Sequence, residues 1–182
     1  MSIVFTISST SGSDRSTIAH LVCKLLDGLD LAISYTTRPH LVDKRDSEFF
    51  FTSRDTFELM IEREEFLEYV SSFGNYYGTP SHYLQQAREK GKDLLIQVDD
   101  SGVVQIKQKI RDVISILVLP RQSAQPAGSN SDDVPLYRLR KASLPSQMPS
   151  PDKYDHIIAN DQLEETVNKI IEIVRTERSR RS

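Results

Sequence analysis

An α/β fold, a mostly parallel sheet flanked by helices, is predicted by three observations. Short apolar runs rich in β-branched residues alternate with stretches whose apolar residues recur every three to four positions. The longest aliphatic run, residues 113–119, reads as an interior strand buried on both faces, the best candidate for the centre of the sheet. The chain also opens strand, small-residue loop, helix, which sets backbone N–H groups at a helix N-terminus beside a strand end, where anions bind.

The elements follow in order. Ile3 to Ile7 reads IVFTI, a buried strand. After the Ser/Thr/Gly loop of residues 8–13, Ile18, Leu21, Val22, Leu25 and Leu26 mark a helix packed by one face. Residues 31–34 form a second short strand, and residues 48–51 an apolar patch beyond a charged loop. Ser53 is placed to cap a helix that turns Phe57, Met60 and Ile61 inward. Residues 66–70 read as a strand, residues 74–78 as an aromatic-rich turn, and Thr79 with Pro80 as the start of a helix ending near Gly91. Residues 94–98 form a strand with Asp99 and Asp100 at its end, followed by a helix with Lys107 at the edge of its apolar face. Residues 156–159 give a last strand, Asp161 and Glu164 a capping box, and Leu163, Val167, Ile170, Ile171 and Val174 the clearest apolar stripe.

One stretch breaks the alternation. Residues 120–151 hold six of the eight prolines and read as an excursion with at most one short helix near residues 136–142. With 182 residues, 38% hydrophobic and 27% charged, the chain suits one soluble domain. A net charge of −3 gives no general drive toward nucleic acid or anionic membrane. No apolar run reaches 18 residues and no signal-like segment opens the chain, so a cytoplasmic protein is expected. The single cysteine, Cys23, reads as a buried structural thiol, and the last eight residues, with four arginines, as a frayed tail or a partner contact. His40 and His82 read as surface.

Four runs together resemble the guanylate kinase family along nearly the whole chain. They are SerTyrThrThrArgPro at 34–39, PheLeuGlu at 66–68 with GlyAsnTyrTyrGlyThrPro at 74–80, LeuLeuIleGlnValAsp ending at Asp99, and TyrAspHisIleIleAlaAsn at 154–160. The resemblance implies a P-loop nucleoside monophosphate kinase fold in one domain. Its core would comprise residues 1–33, 81–120 and 152–176, its small GMP-binding subdomain about residues 34–80, and its lid about residues 121–145. The implied ligands are GMP, ATP as phosphoryl donor, and Mg²⁺.

On the acceptor side, the resemblance carries guanine recognition onto Ser34, Glu68 and Thr79, and phosphate binding onto Arg38 and Tyr77. A carboxylate suits guanine, which presents two adjacent donors that adenine lacks on that edge. Gln97 stands where the family has a further acidic residue on this side. Two positions depart from the pattern. Leu41 replaces a second phosphate-binding arginine, with Lys44 and Arg45 the nearest substitutes, and Phe49 replaces a phosphate-binding tyrosine. Together these losses weaken phosphate binding by roughly 2–4 kcal/mol.

On the donor side, the stretch Ser9, Thr10, Ser11, Gly12, Ser13, Asp14, Arg15, Ser16, Thr17 aligns with the ATP-binding loop G-x-x-x-x-G-K-[ST]. Ser9 and Asp14 replace its glycines, Arg15 replaces its lysine, and Ser16 keeps the magnesium hydroxyl. Asp14 sets a carboxylate where a polyphosphate belongs. A formed phosphate nest and a plain serine-rich turn both remain open for this segment. Asp99 matches the strand-end carboxylate that serves magnesium, and Arg138 a phosphate-clamping arginine of the lid. Catalysis, by this resemblance, would fall to Arg15, Arg38, Asp99 and Arg138. The implied reaction is transfer of the ATP γ-phosphoryl group to GMP. Three outcomes stay open: a GMP-binding homologue with weak or absent transfer, an active guanylate kinase, and a pseudokinase interaction module.

Overall fold

The computed structural model describes residues 2–9, 15–40, 49–120, 151–160 and 162–181. Two sheets organise them. The first has five strands, all parallel: β1 (Val4–Ser9), β2 (Leu29–Leu31), β7 (Asp93–Gln97), β8 (Val113–Pro120) and β9 (His156–Asn160), in the order β2-β7-β1-β8-β9. The aliphatic run of β8 is interior, as its composition predicts, but the middle of the sheet is β1.

Helices cover both faces because successive strand residues point to opposite sides. Phe5 and Ile7 face α1 (Arg15–Leu25) and the last helix, α5 (Leu163–Arg181), through Ile18, Val22, Ile170 and Val174. Val4, Leu94, Ile96 and Leu117 face α3 (His82–Glu89) and α4 (Asp100–Lys109) through Leu84, Ala87, Val103 and Ile106.

The second sheet is built from residues 34–80. Its strands are β3 (Ser34–Thr36), β4 (Phe49–Phe51), β5 (Phe66–Ser72) and β6 (Asn75–Pro80), in the order β4-β3-β6-β5, with α2 (Arg54–Glu62) between β4 and β5. Ser53 caps α2 as expected, its hydroxyl accepting from the Thr56 N–H at 3.1 Å. Phe57 is fully buried, whereas Met60 and Ile61 are only half-buried.

Helix α4 fastens the two sheets together. The Gln105 side-chain amide accepts from the Tyr69 N–H at 3.2 Å and donates to the Tyr69 carbonyl at 2.9 Å, while Lys109 Nζ donates to the Phe66 carbonyl at 2.7 Å. These contacts satisfy the free edge of β5, which would otherwise offer unpaired backbone groups.

Several local expectations change. The strand expected at 31–34 is two strands in different sheets, β2 and β3, with Ala32 and Ile33 between them. Residues 74–78 are mostly strand; the turn is the two-residue loop Phe73–Gly74, both at positive φ (49° and 76°), closing the β5–β6 hairpin from Ser72 to Asn75. Thr79 and Pro80 end β6 instead of starting α3, which begins at His82. The C-terminal arginines are not a frayed tail, since α5 continues to Arg181 and Arg178 is tied into the body of the protein. Cys23 is half-buried, and burial, with the Asp30 charge, pushes its thiol up to about 12. The excursion at 121–150, with the expected lid and Arg138, lies outside the described residues, as do Leu41, Lys44, Arg45, Asp161 and Thr10 to Asp14. Among the described residues, no helix is long and apolar enough to cross a membrane.

Candidate functional site

A cleft of about 450 Å³ opens where the two sheets meet. Its floor is set by the β5–β6 pairing, which brings Glu68 opposite Thr79. Both are buried, and the Thr79 hydroxyl donates to Glu68 Oε1 at 2.6 Å. Helix α4 closes in from the other side. A Cβ on Gly102 would lie 2.9 Å from Val98 Cβ and 3.1 Å from Glu68 Oε2, so only glycine lets the helix approach the carboxylate this closely.

Burial pushes the Glu68 carboxyl up to about 7. Hydrogen bonds from Thr79 oppose the rise, the Asp99 charge adds to it, and the Arg15 charge draws it back. The result is an acceptor pair held in a low-dielectric wall without a full partner for its charge, suited to a ligand with two adjacent N–H donors.

Asp99 has a structural task as well as a place in the cleft. It is the N-cap of α4: Oδ1 accepts from the Gly102 N–H at 2.9 Å and from Ser101 Oγ at 2.7 Å. Its neighbour Asp100 accepts from the Tyr154 hydroxyl, which joins the start of β9 to the start of α4. Gln97 and Val98 lead into this turn from β7, and Arg15, the first residue of α1, donates from Nη1 to the Val98 carbonyl at 3.1 Å.

The opposite wall belongs to the smaller sheet. The Arg38 guanidinium lies 5.4 Å from the Phe49 ring centre and 5.1 Å from that of Phe51, and Nη1 donates to the Pro39 carbonyl at 3.1 Å. Phe49 packs edge-on against Tyr77 with ring centres 5.8 Å apart. His40 stacks on Phe51 at 3.7 Å and is exposed, while His82 is half-buried beside Tyr35 and Tyr83.

The family model described as guanylate kinase matches residues 2–177. The chain belongs to the guanylate kinase family. It is similar to guanylate kinases of Koribacter versatilis (34% identical, spanning 98% of this chain and 80% of the relative) and Rickettsia felis (32% identical, spanning 98% and 95%). A guanylate kinase structure from Anaplasma phagocytophilum superposes with a TM-score of 0.71 at 26% identity, covering 97% of this chain and 86% of that one.

Within this guanylate kinase-family chain, Ser34, Arg38, Glu68, Tyr77, Gln97, Asp99 and Arg15 all line one cleft. Thr79 stands behind Glu68 as its hydrogen-bond partner. Ser9 ends β1, while Ser16 and Thr17 lie in the first turn of α1, where the Ser16 carbonyl and hydroxyl face His20 Nδ1 at 2.8 and 3.4 Å. Sequence reasoning missed two residues that shape the site, Gly78 and Gly102. A Cβ on Gly78 would meet the Glu68 carbonyl and Tyr69 Cβ at 2.9 Å each. The available signal for Gly102 was its position three residues after a capping aspartate.

Proposed function

We propose that the cleft binds GMP and that phosphoryl transfer from ATP to it is weak or absent. The observation that carries the acceptor assignment is Glu68: a buried carboxylate, fixed by Thr79 and backed by Gly102, facing a cleft of mononucleotide size. Guanine offers N1–H and N2–H₂ to it; a base without those donors leaves the buried carboxylate oxygens unmet, at about 1–3 kcal/mol, which disfavours other bases. Residues 34–80 then form the acceptor-binding unit, with Ser34 and Thr79 completing base recognition and Arg38 and Tyr77 holding the phosphate. Gln97 lines the same side with an amide in place of a carboxylate.

The donor assignment rests on sequence. Asp14 and Arg15 replace the glycine and lysine that cradle a polyphosphate, and Asp14 opposes it by like charge. Ser9 to Thr17 is the stretch that ATP would meet, and Arg138 the lid residue that would neutralise the moving phosphoryl group. For magnesium, Ser16 Oγ and Asp99 are hard oxygen donors of the fitting kind. Asp99 Oδ1 is used in capping α4, so Asp99 would hold the ion through its other carboxylate oxygen. Magnesium, when bound, offsets the charge of the donor phosphates. Among the described residues no three His, Cys, Asp or Glu side chains gather as a metal cluster.

Calorimetry on the full chain tests this reading. GMP binding is expected, with little heat from ATP and magnesium. Asp14→Gly is expected to raise ATP affinity at least about tenfold by removing the opposed charge. Tight ATP binding by the unaltered chain, with GMP-dependent ADP release, would establish the active-kinase reading instead.

Gly102→Ala probes the packing behind the carboxylate. The added methyl overpacks against Val98 and Glu68, at about 1–3 kcal/mol. GMP affinity is expected to fall about tenfold, with the thermal midpoint lowered by a few degrees. Unchanged GMP affinity would show that Glu68 does not depend on this close approach.

A further inference from the structure

Two guanidinium groups face the cleft from opposite walls. Arg38 belongs to the smaller sheet and is steadied over Phe49 and Phe51. Arg15 belongs to the core: it opens α1 and is steadied by the Val98 carbonyl at the end of β7. Both line the same 450 Å³ space with Glu68 and Tyr77. That volume is at the small end of ligand pockets and suits one mononucleotide. Arg15 and Arg38 are thus two cations placed where a ligand lying against Glu68 would meet them.

The sequence supplies the complement. Leu41 has no charge where the family pattern places a second phosphate-binding arginine, and Arg15 stands where it places a lysine. An arginine is longer than lysine and presents a planar fork that matches phosphate oxygens in pairs.

We propose that Arg15 has moved to the acceptor side: it grips the 5′-phosphate of GMP from the core wall, opposite Arg38, and takes over the contact that Leu41 cannot make. The proposal rests on the cleft taking GMP. Arg15 is also near enough to Glu68 for its charge to favour the ionised carboxylate, so one side chain supports both ends of the ligand. A phosphate held between Arg15 and Arg38 bridges the core and the smaller sheet. The same placement takes Arg15 away from the ATP phosphates and deepens the donor-side defect.

The test compares GMP with guanosine, which shares the base and lacks the phosphate. Calorimetry is run on the full chain and on Arg15→Ala, Arg15→Lys and a Lys44→Ala/Arg45→Ala double variant. Arg15→Ala is expected to weaken GMP at least about tenfold and guanosine less than about threefold. Arg15→Lys, which keeps the charge and the fold, should recover part of the loss, and the double variant should bind GMP nearly as the unaltered chain does. Equal weakening of GMP and guanosine by Arg15→Ala overturns the proposal, because it marks a structural role. So does GMP affinity that falls only in the double variant, or an effect of Arg15→Lys confined to ATP. If the unaltered chain binds guanosine and GMP but Arg15→Ala is silent, this proposal fails and the GMP reading stands; if the unaltered chain binds neither, both fail.

Discussion

Glu68→Gln is expected to lower GMP affinity about a hundredfold at pH 8, with the fold intact. The carboxylate offers two acceptor oxygens, one bonded to the Thr79 hydroxyl at 2.6 Å. An amide in its place must choose. If its oxygen keeps Thr79, its NH₂ meets the guanine donors head-on. If the amide turns over, a single acceptor remains for two donors. Hydrogen bonds to a charged group contribute about 1.5–3 kcal/mol each, so losing one and leaving a donor unmet accounts for the factor. The protein itself should tolerate the change, since an uncharged group replaces a buried charge.

The pH profile has a definite sign. Burial raises the Glu68 carboxyl from an ordinary 4.5 to about 7 in the folded protein. The ligand-free protein then binds an extra proton between those values, so it gives up stability as pH climbs from about 4.5 through about 7. Ligand affinity runs the other way. Only the ionised carboxylate accepts both guanine donors, so affinity rises as pH passes through about 7 and then levels. Guanosine is the ligand to use, because the GMP phosphate titrates near pH ~6 and would add its own slope. Titrations from pH 5.5 to 8.5 should show the rise in the unaltered chain and a flat line in Glu68→Gln. A flat line in both would mean that Glu68 stays ionised throughout.

The alternation of strands and helices was readable because burial on one face or both leaves a period in the sequence. Residues 113–119 had to be an interior strand, and the stripe from Leu163 to Val174 had to be a packed helix; both are so. Local chemistry without periodicity was less readable. Thr79 with Pro80 has the form of a helix start, yet the strand pairing of Thr79 with Glu68 outweighs it, and its hydroxyl is used inside the site. The apolar run at 31–34 carried no mark of the change of sheet at Ala32. The grouping of Arg38, Glu68, Tyr77 and Asp99 followed from family motifs. The close approach of α4 did not, because it depends on what a missing side chain at Gly102 allows.

Arg178→Ala is expected to cost about 2–4 kcal/mol of stability, a large effect for a substitution outside both the cleft and the apolar core. Asp93 is almost fully buried at the start of β7, where Oδ1 accepts from the Ile3 N–H at 2.7 Å and Oδ2 from Arg178 Nε at 2.8 Å. The same guanidinium donates to the carbonyls of Asp27 and Gly28 at 2.9 and 2.8 Å. One arginine near the end of the chain thus ties α5 to the α1–β2 turn and to β7, across 150 and 85 residues of sequence respectively. No local pattern announces such a contact, so a charged C-terminus read as a solvated tail. Removing Arg178 leaves the Asp93 carboxylate buried without its ion pair and takes a donor from the carbonyls of Asp27 and Gly28, of which Gly28 keeps the Asp93 N–H at 2.9 Å; the cost of a stranded charge exceeds that of the lost contact. Thermal melts should show a midpoint lower by roughly 5–12 °C. Asp93→Asn with Arg178→Ala should recover part of that loss, because the stranded charge goes while the amide oxygen can still accept from Ile3. A double variant no better than Arg178→Ala would mean that the carbonyl contacts, and not the ion pair, hold the last helix in place.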